Sequence, residues 1–323
     1  MMPNKPHARL VPALTALLLL VLLGACSQDA NKGGSDKAGG GNAAALTGTV
    51  RIDGSSTVFP ISEAIAEEFQ KTAPSVRVPV GVSGSGGGFK KFMAGETDIS
   101  DASRPVKPEE IEMGKTNNIQ YLELPIAYDG LSVVVSKSNT FVDHLTTEEL
   151  KKIWEPGSKI NNWKDVRPGF PDKPLHLFGP GTDSGTFDYF TEVINGKAAA
   201  SRPDYTASED DNVLVQGVAG DEGGLGYFGF AYFEANQDKL KLVPIDAGKG
   251  AVAPSVQTIS DGTYAPLSRP LFIYVSKAAN QRPEVKTFVE FYLNTVPAIA
   301  KDVGYVALPA AMYEQDKTTY AGF

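Results

Sequence analysis

Apolar positions along this chain switch repeatedly between a period of two and the ~3.6-residue period of a helix. Val50-Arg51-Ile52 alternates as a strand, and Ile61, Ala64, Ile65, Glu68 and Phe69 then show helical spacing, the apolar members on one face. Residues 76–82 alternate again, and Phe89 to Met93 begins a short helix that Gly95 stops. Asp98-Ile99-Ser100 reads as a third strand, and residues 107–113 as a helix with Pro108 in its first turn. The apolar run 126–135, broken by Tyr128-Asp129-Gly130, predicts a strand that leaves one lobe for another. Beyond it come a helix over 145–154 opened by Thr146 or Thr147, a strand over 175–178 and a helix over 187–194. A helix over 213–218 is capped from within 208–212, and 224–228 is a glycine-rich strand. Residues 271–275 form a returning strand and 283–293 a closing helix; no fixed-period repeat is present. Strand, loop and helix in alternation predict an α/β fold with mostly parallel sheets covered by helices. Ligands of such sheets sit at the carboxyl ends of the strands.

Three tracts of small and hydroxylated residues fall at those ends. They are Gly54-Ser55-Ser56-Thr57-Val58-Phe59-Pro60, Ser83-Gly84-Ser85-Gly86-Gly87-Gly88-Phe89 and Gly181-Thr182-Asp183-Ser184-Gly185-Thr186-Phe187. A helix start leaves backbone N–H groups without partners and carries the positive end of the helix dipole. Small hydroxylated residues let an anion approach those groups and add donors of their own. Three such starts predict convergence on a small oxyanion.

The ends of the chain change the setting. Lys5 and Arg9 precede an apolar run over residues 10–23, too short and wrongly flanked for a membrane span, so 1–25 reads as an export signal. It closes on Leu23-Gly24-Ala25-Cys26, which resembles a bacterial lipobox with Cys26 as the lipidated residue. Cys26 is the chain's single cysteine, so an intrachain disulfide and a cysteine metal cluster are excluded. Residues 27–46 are mostly Gly, Ala, Ser, Asn and Lys with little to bury, the composition of a tether. About 280 residues remain, enough for two lobes with their own cores. The formal charge of −8, near −10 once Lys5 and Arg9 are removed, argues against nucleic acid. It leaves a small anion open, because donors in a closed site outweigh a screened surface charge.

Gly54 to Pro60, Ser85-Gly86-Gly87, Ser103-Arg104-Pro105 and Asp183-Ser184-Gly185-Thr186 stand in an order and spacing that resembles the substrate-binding proteins of bacterial phosphate ABC transporters. The resemblance covers most of the body. It implies a two-lobed, type II periplasmic-binding-protein fold, each lobe a mostly parallel or mixed sheet flanked by helices, with phosphate in the interlobe cleft. Lobe one would be 47–128 plus 264–323 and lobe two 129–263. Phosphate would be held by Ser56, Thr57 and Val58, by Ser85, and by Ser184, Gly185 and Thr186. The resemblance also implies a membrane permease with its ATPase as partners, a monomer, and neither cofactor nor metal. Two positions depart from the family's better-known members. Ser103 stands where they carry an aspartate, and Gly179 or Pro180 where they carry an arginine, so Arg104 is the candidate cation. At neutral pH phosphate keeps a proton that sulfate lacks, and an acceptor carboxylate separates the two. Asp129 is the first candidate for it, Asp183 or Asp211 the next.

Other readings stay in view. Sulfate or molybdate could be the anion. Gly84 to Gly88 could be a linker, but the Gly-Lys-Ser/Thr ending of a nucleotide loop is absent. Gly54 to Thr57, Asp183 and Asp129 could be plain caps or turns, Arg104 a surface residue, and the aromatics Tyr227 to Tyr232 core. Asp183-Ser184-Gly185 echoes the nucleophile loop of serine hydrolases, with His176 as the conceivable base on a strand whose inward side chain would be core. No His/Asp cluster has the spacing of a metal site. An exported interaction protein binding phosphate incidentally is the third class; closure seen by scattering, or by Trp154 or Trp163 fluorescence, separates it.

Overall fold

The computed structural model describes residues 46–182 and 184–323. The expected export signal, Cys26, nearly all of the expected tether and Asp183 lie outside the described residues. Ten strands join in one sheet: β1 (Ile52–Gly54), β2 (Val80–Val82), β3 (Ile99–Ala102), β4 (Tyr121–Ser136), β5 (His176–Pro180), β6 (Thr206–Ser208), β7 (Gly224–Gly229), β8 (Leu240–Leu242), β9 (Ser268–Ser276) and β10 (Val306–Ala307). Their order is β2-β1-β3-β9-β4-β7-β5-β6, with β8 and β10 also paired to β4. β1 runs parallel to β2 and β3, and β5 parallel to β6 and β7, while β9 and β4 are antiparallel to their neighbours.

β4 is where the two halves meet. Its residues 121–130 pair with β9, and from Leu131 onward its partner is β7. The buried side chains divide accordingly. One core gathers Ile52, Ile65, Phe69, Ile126, Ile273, Phe288 and Tyr292; the other gathers Leu131, Trp154, Trp163, Phe190, Tyr227 and Leu267. Each fully buried aromatic or branched side chain stabilises its core by roughly 1.5–3 kcal/mol. Tyr227 and Phe228 lie in the second core as expected, whereas Tyr232 is only half-buried.

Three local differences from the sequence pattern have clear causes. The expected strand over 76–82 is split: Val76–Arg77 pairs with Gly48–Thr49, and β2 pairs with β1. Pro79, which has no N–H to give a ladder, sits at the break. The glycine run of the second tract is itself helical, from Gly84 to Met93, rather than a loop before a helix at Phe89. A side chain at Gly88 would lie 2.5 Å from Gly54 Cα, so glycine lets this helix sit directly on β1. The helix Pro283–Asp302 does not close the chain; Ala310–Ala321 follows it. Its buried residues are Tyr313, Asp316 and Tyr320, too polar a stripe to read as amphipathic.

Candidate functional site

A cavity of about 420 Å³ opens at the carboxyl ends of β1 and β3 and faces the helix Gly185–Asn195 of the other half. Ser55, Ser56, Thr57, Ser85, Ser103 and Arg104 line it from one side. Asp188, Tyr189 and Glu192 line it from the other, and Arg269 from β9 lines it as well.

The first tract is a tight turn. Val58 N–H and Phe59 N–H both donate to Ser55 O, at 3.2 and 3.0 Å, and Thr57 N–H donates to Ser55 Oγ at 3.2 Å. The Val58 side chain is fully buried in the first core, and the residue does not line the cavity. Its N–H is used within the turn, so the hydroxyls of Ser56 and Thr57 are what this loop offers. Ser85 sits in the first turn of Gly84–Met93, where its Oγ accepts from Ser103 N–H at 3.0 Å and lies 3.1 Å from Ser103 Oγ. Two hydroxyls, one from this helix start and one from the loop after β3, are thereby held side by side. Beneath the helix start, Asp53 takes Lys91 Nζ at 2.6 Å and the hydroxyl of Ser83, fixing the helix to β1.

Arg104 is held by a fork. Its Nη1 and Nη2 donate to Glu110 Oε2 and Oε1 at 2.9 and 2.7 Å, and its guanidinium lies 5.2 Å from the Phe89 ring centroid. Burial would raise the Glu110 carboxyl, but Arg104 and Lys107 N–H together bring it below the ordinary range, and Arg104 itself is held further towards its charged form.

The second cation was missed in the sequence. Arg269 Nε donates to Asp129 Oδ2 at 3.2 Å, its Nη2 donates to Thr57 Oγ1 at 2.8 Å, and its guanidinium stacks 3.6 Å from the Tyr189 ring centroid. It therefore touches both crossover strands and both halves of the cavity. Ser268-Arg269-Pro270 repeats Ser103-Arg104-Pro105, a signal present in the sequence. Asp129 is placed as partner of this arginine, buried at 1% exposure, and does not line the cavity. Burial raises its carboxyl, with Arg269 opposing. Asp211 does not line the cavity either; burial beside Asp210 and Glu209 pushes it up to about 7.

The third tract caps its helix. Ser184 Oγ accepts Thr186 N–H at 3.2 Å, and Thr57 Oγ1 lies 3.5 Å from Gly185 O. Ser184, Gly185 and Thr186 thus abut the first tract without lining the cavity wall. A side chain at Gly185 would come within 2.8 Å of Thr57 backbone atoms, so glycine sets how closely the halves approach. The expected core histidine is not in the core: His176 is exposed and its ring nitrogen pairs with Asp221, not with Ser184. Trp154 and Trp163 are buried in the second core away from the cavity lining, which makes scattering the better reporter of closure. No cluster of metal-ligating side chains and no helix long and apolar enough to cross a membrane occurs among the described residues.

A family profile described as a PBP superfamily domain matches residues 40–295. The chain is 54% identical over 274 residues to Protein SphX of Synechococcus elongatus, covering 84% of this chain and 81% of the relative. It is 43% identical over 309 residues to the phosphate-binding protein PstS of Staphylococcus saprophyticus, covering 94% and 91%. Among solved structures it is similar to a possible phosphate binding protein from Planctomyces limnophilus, with a TM-score of 0.83 at 51% identity over 86% of this chain and 99% of the other.

Proposed function

The chain belongs to the PBP superfamily, and from that premise we propose that it binds inorganic phosphate outside the cytoplasmic membrane and delivers it to an ABC permease. One observation carries the reading. Ser55, Ser56, Thr57, Ser85 and Ser103, all hydroxylated, and Arg104 and Arg269, both cationic, line one cavity of about 420 Å³. Relatives named phosphate-binding protein support the choice of anion. The lobes are assigned as 47–128 plus 264–323 and 129–263. Ser56, Thr57, Ser85, Ser103 and Arg104 serve as ligands from lobe one, Arg269 from the crossover, and the Ser184-Gly185-Thr186 turn closes from lobe two.

The mechanism is a hinged clamp. A ligand shifts an open–closed equilibrium only by its differential affinity for the two forms. Arg269 supplies that difference, because it meets Thr57 of one half and Tyr189 of the other in a single closed geometry. The protein acts as a monomeric binding component without catalysis, held to the membrane through lipidated Cys26 with 27–46 as tether.

Calorimetric titration with inorganic phosphate, sulfate and molybdate tests the reading. Stoichiometric phosphate binding with sulfate and molybdate far weaker is expected, together with compaction in solution scattering. Tighter binding of sulfate or molybdate would replace phosphate as the cargo, and turnover of an activated ester would overturn the non-enzymatic assignment. Release of the protein from membranes by Cys26→Ser checks the anchor.

A further inference from the structure

A second cavity lies between the two halves and shares no lining residue with the first. It measures about 650 Å³, within the range of roughly 300–1,000 Å³ usual for small-molecule sites. Ala231, Glu234 and Val256 line it from one half, and Lys301, Tyr305 and Leu308 from the other. Its walls are seated on the crossover strand. β10, which also lines the cavity, pairs with β4 at Tyr128 and Ala127. The helix Val256–Ser260 packs over Gly130, where a side chain would collide with Ile259. Between these two contacts stands Asp129, the partner of Arg269. Tyr305 registers that pair: burial and Asp129 raise its hydroxyl above the ordinary range, and Arg269 opposes them. Both cavities thus adjoin one ion pair, and a rotation of the halves about β4 reshapes both.

The lining is amphipathic. Val256 is 50% exposed, an apolar side chain left in water, in the same cavity as β10, Leu308 and Pro309. Glu234 and Lys301 are exposed, opposite in charge and carried by opposite halves. Among the described residues neither side chain has an ion-pair partner. An apolar lining with one free acid and one free base complements a guest that has an apolar body and both charges. Resting on the hinged clamp above, we propose that this cavity is a regulatory site for a small zwitterionic amphiphile, its apolar chain inside and its cation and anion meeting Glu234 and Lys301. The occupant bridges the halves in the same geometry that Arg269 holds, so it stabilises the closed form and tightens anion binding. Such coupling is reciprocal, and phosphate tightens the amphiphile by the same factor.

The test is calorimetry with decyl betaine below its micelle concentration, on the wild type, V256D, E234Q and K301Q, with and without saturating phosphate. One betaine per chain is expected, with phosphate affinity raised about fivefold or more and betaine affinity raised equally by phosphate. V256D should weaken betaine binding about tenfold or more and leave the phosphate affinity of the betaine-free protein unchanged. E234Q and K301Q should each weaken it about two- to fivefold. Betaine that fails to saturate, or that binds V256D as tightly as wild type, overturns the site. Decanoate or decyltrimethylammonium binding as tightly as betaine overturns the zwitterionic guest. Saturable betaine binding with phosphate affinity unchanged overturns the coupling. A wild type that binds betaine but no phosphate overturns the phosphate reading and leaves the site standing.

Discussion

The tripeptides Ser103-Arg104-Pro105 and Ser268-Arg269-Pro270 are identical in sequence and different in consequence. Arg104 follows the parallel strand β3 and answers to Glu110, six residues away in the next helix. Its anchoring is local, and its side chain is 28% exposed. Arg269 lies within β9, opposite Asp129 in the sheet register, and is anchored across 140 residues of chain. The first arginine decorates one wall, whereas the second joins the walls. A third copy, Ser201-Arg202-Pro203, sits in the second half, where Arg202 donates to Ile153 O and Ile160 O and to Asp204. The tripeptide has no fixed role; the strand that carries it and the acid that meets it assign one.

The largest effect should come from Arg269→Gln. It leaves Asp129 buried without its partner, so stability should drop by about 3–5 kcal/mol in chemical denaturation. Phosphate affinity should fall about 100-fold in calorimetry. An effect no larger than that of Arg104→Gln would erase the contrast between the two arginines. Gly185→Ala comes next. The added methyl meets Thr57 within 2.8 Å, so the closed form should be penalised by about 1–3 kcal/mol. Binding should weaken about tenfold or more with unchanged unfolding of the free protein, and scattering should show incomplete compaction. Arg104→Gln should cost less, roughly fivefold in affinity, since its charge is already matched and partly solvated.

The smallest expected change in binding belongs to Asp101, which lies wholly buried under the first tract. Its backbone carbonyl receives Ser55 N–H at 3.0 Å. Burial pushes its carboxyl up to about 7, with Ser62 opposing and Asp53 adding. A group raised in the folded state binds its proton more tightly there than in the unfolded chain. Stability from this group is therefore greatest in acid and declines as pH rises to about 7. Asp101→Asn should shallow the fall of Tm over that interval and leave phosphate affinity close to wild type. An unchanged Tm profile would show that another acid carries the slope.

Much of this was legible in the sequence, for identifiable reasons. Small hydroxylated residues before a helix are a local signal, so Ser56, Thr57 and Ser85 could be found from pattern and reach the cavity, as does Ser103, which entered through the family resemblance. Thr146 and Glu149 form the capping box that their spacing announces. Long-range pairing was not legible. Nothing near Asp129 in the chain shows that its partner is Arg269, and Asp188 reads as one more polar position on an amphipathic helix. Val58 is implied as a donor by the family resemblance, yet the turn that opens the helix consumes its N–H. Backbone groups are spent or spared by geometry that periodicity does not encode.

The uninterrupted strand β4 has a consequence for how this chain can be divided. Because both sets of sheet neighbours hydrogen-bond to its length, with β9 along 121–130 and β7 beyond, an isolated half would present a bare, sticky border where its missing neighbours should be. Neither half is a transplantable module. A fragment that ends inside 121–136 should clump rather than dissolve, whereas a nick in an outlying loop leaves the shared spine whole.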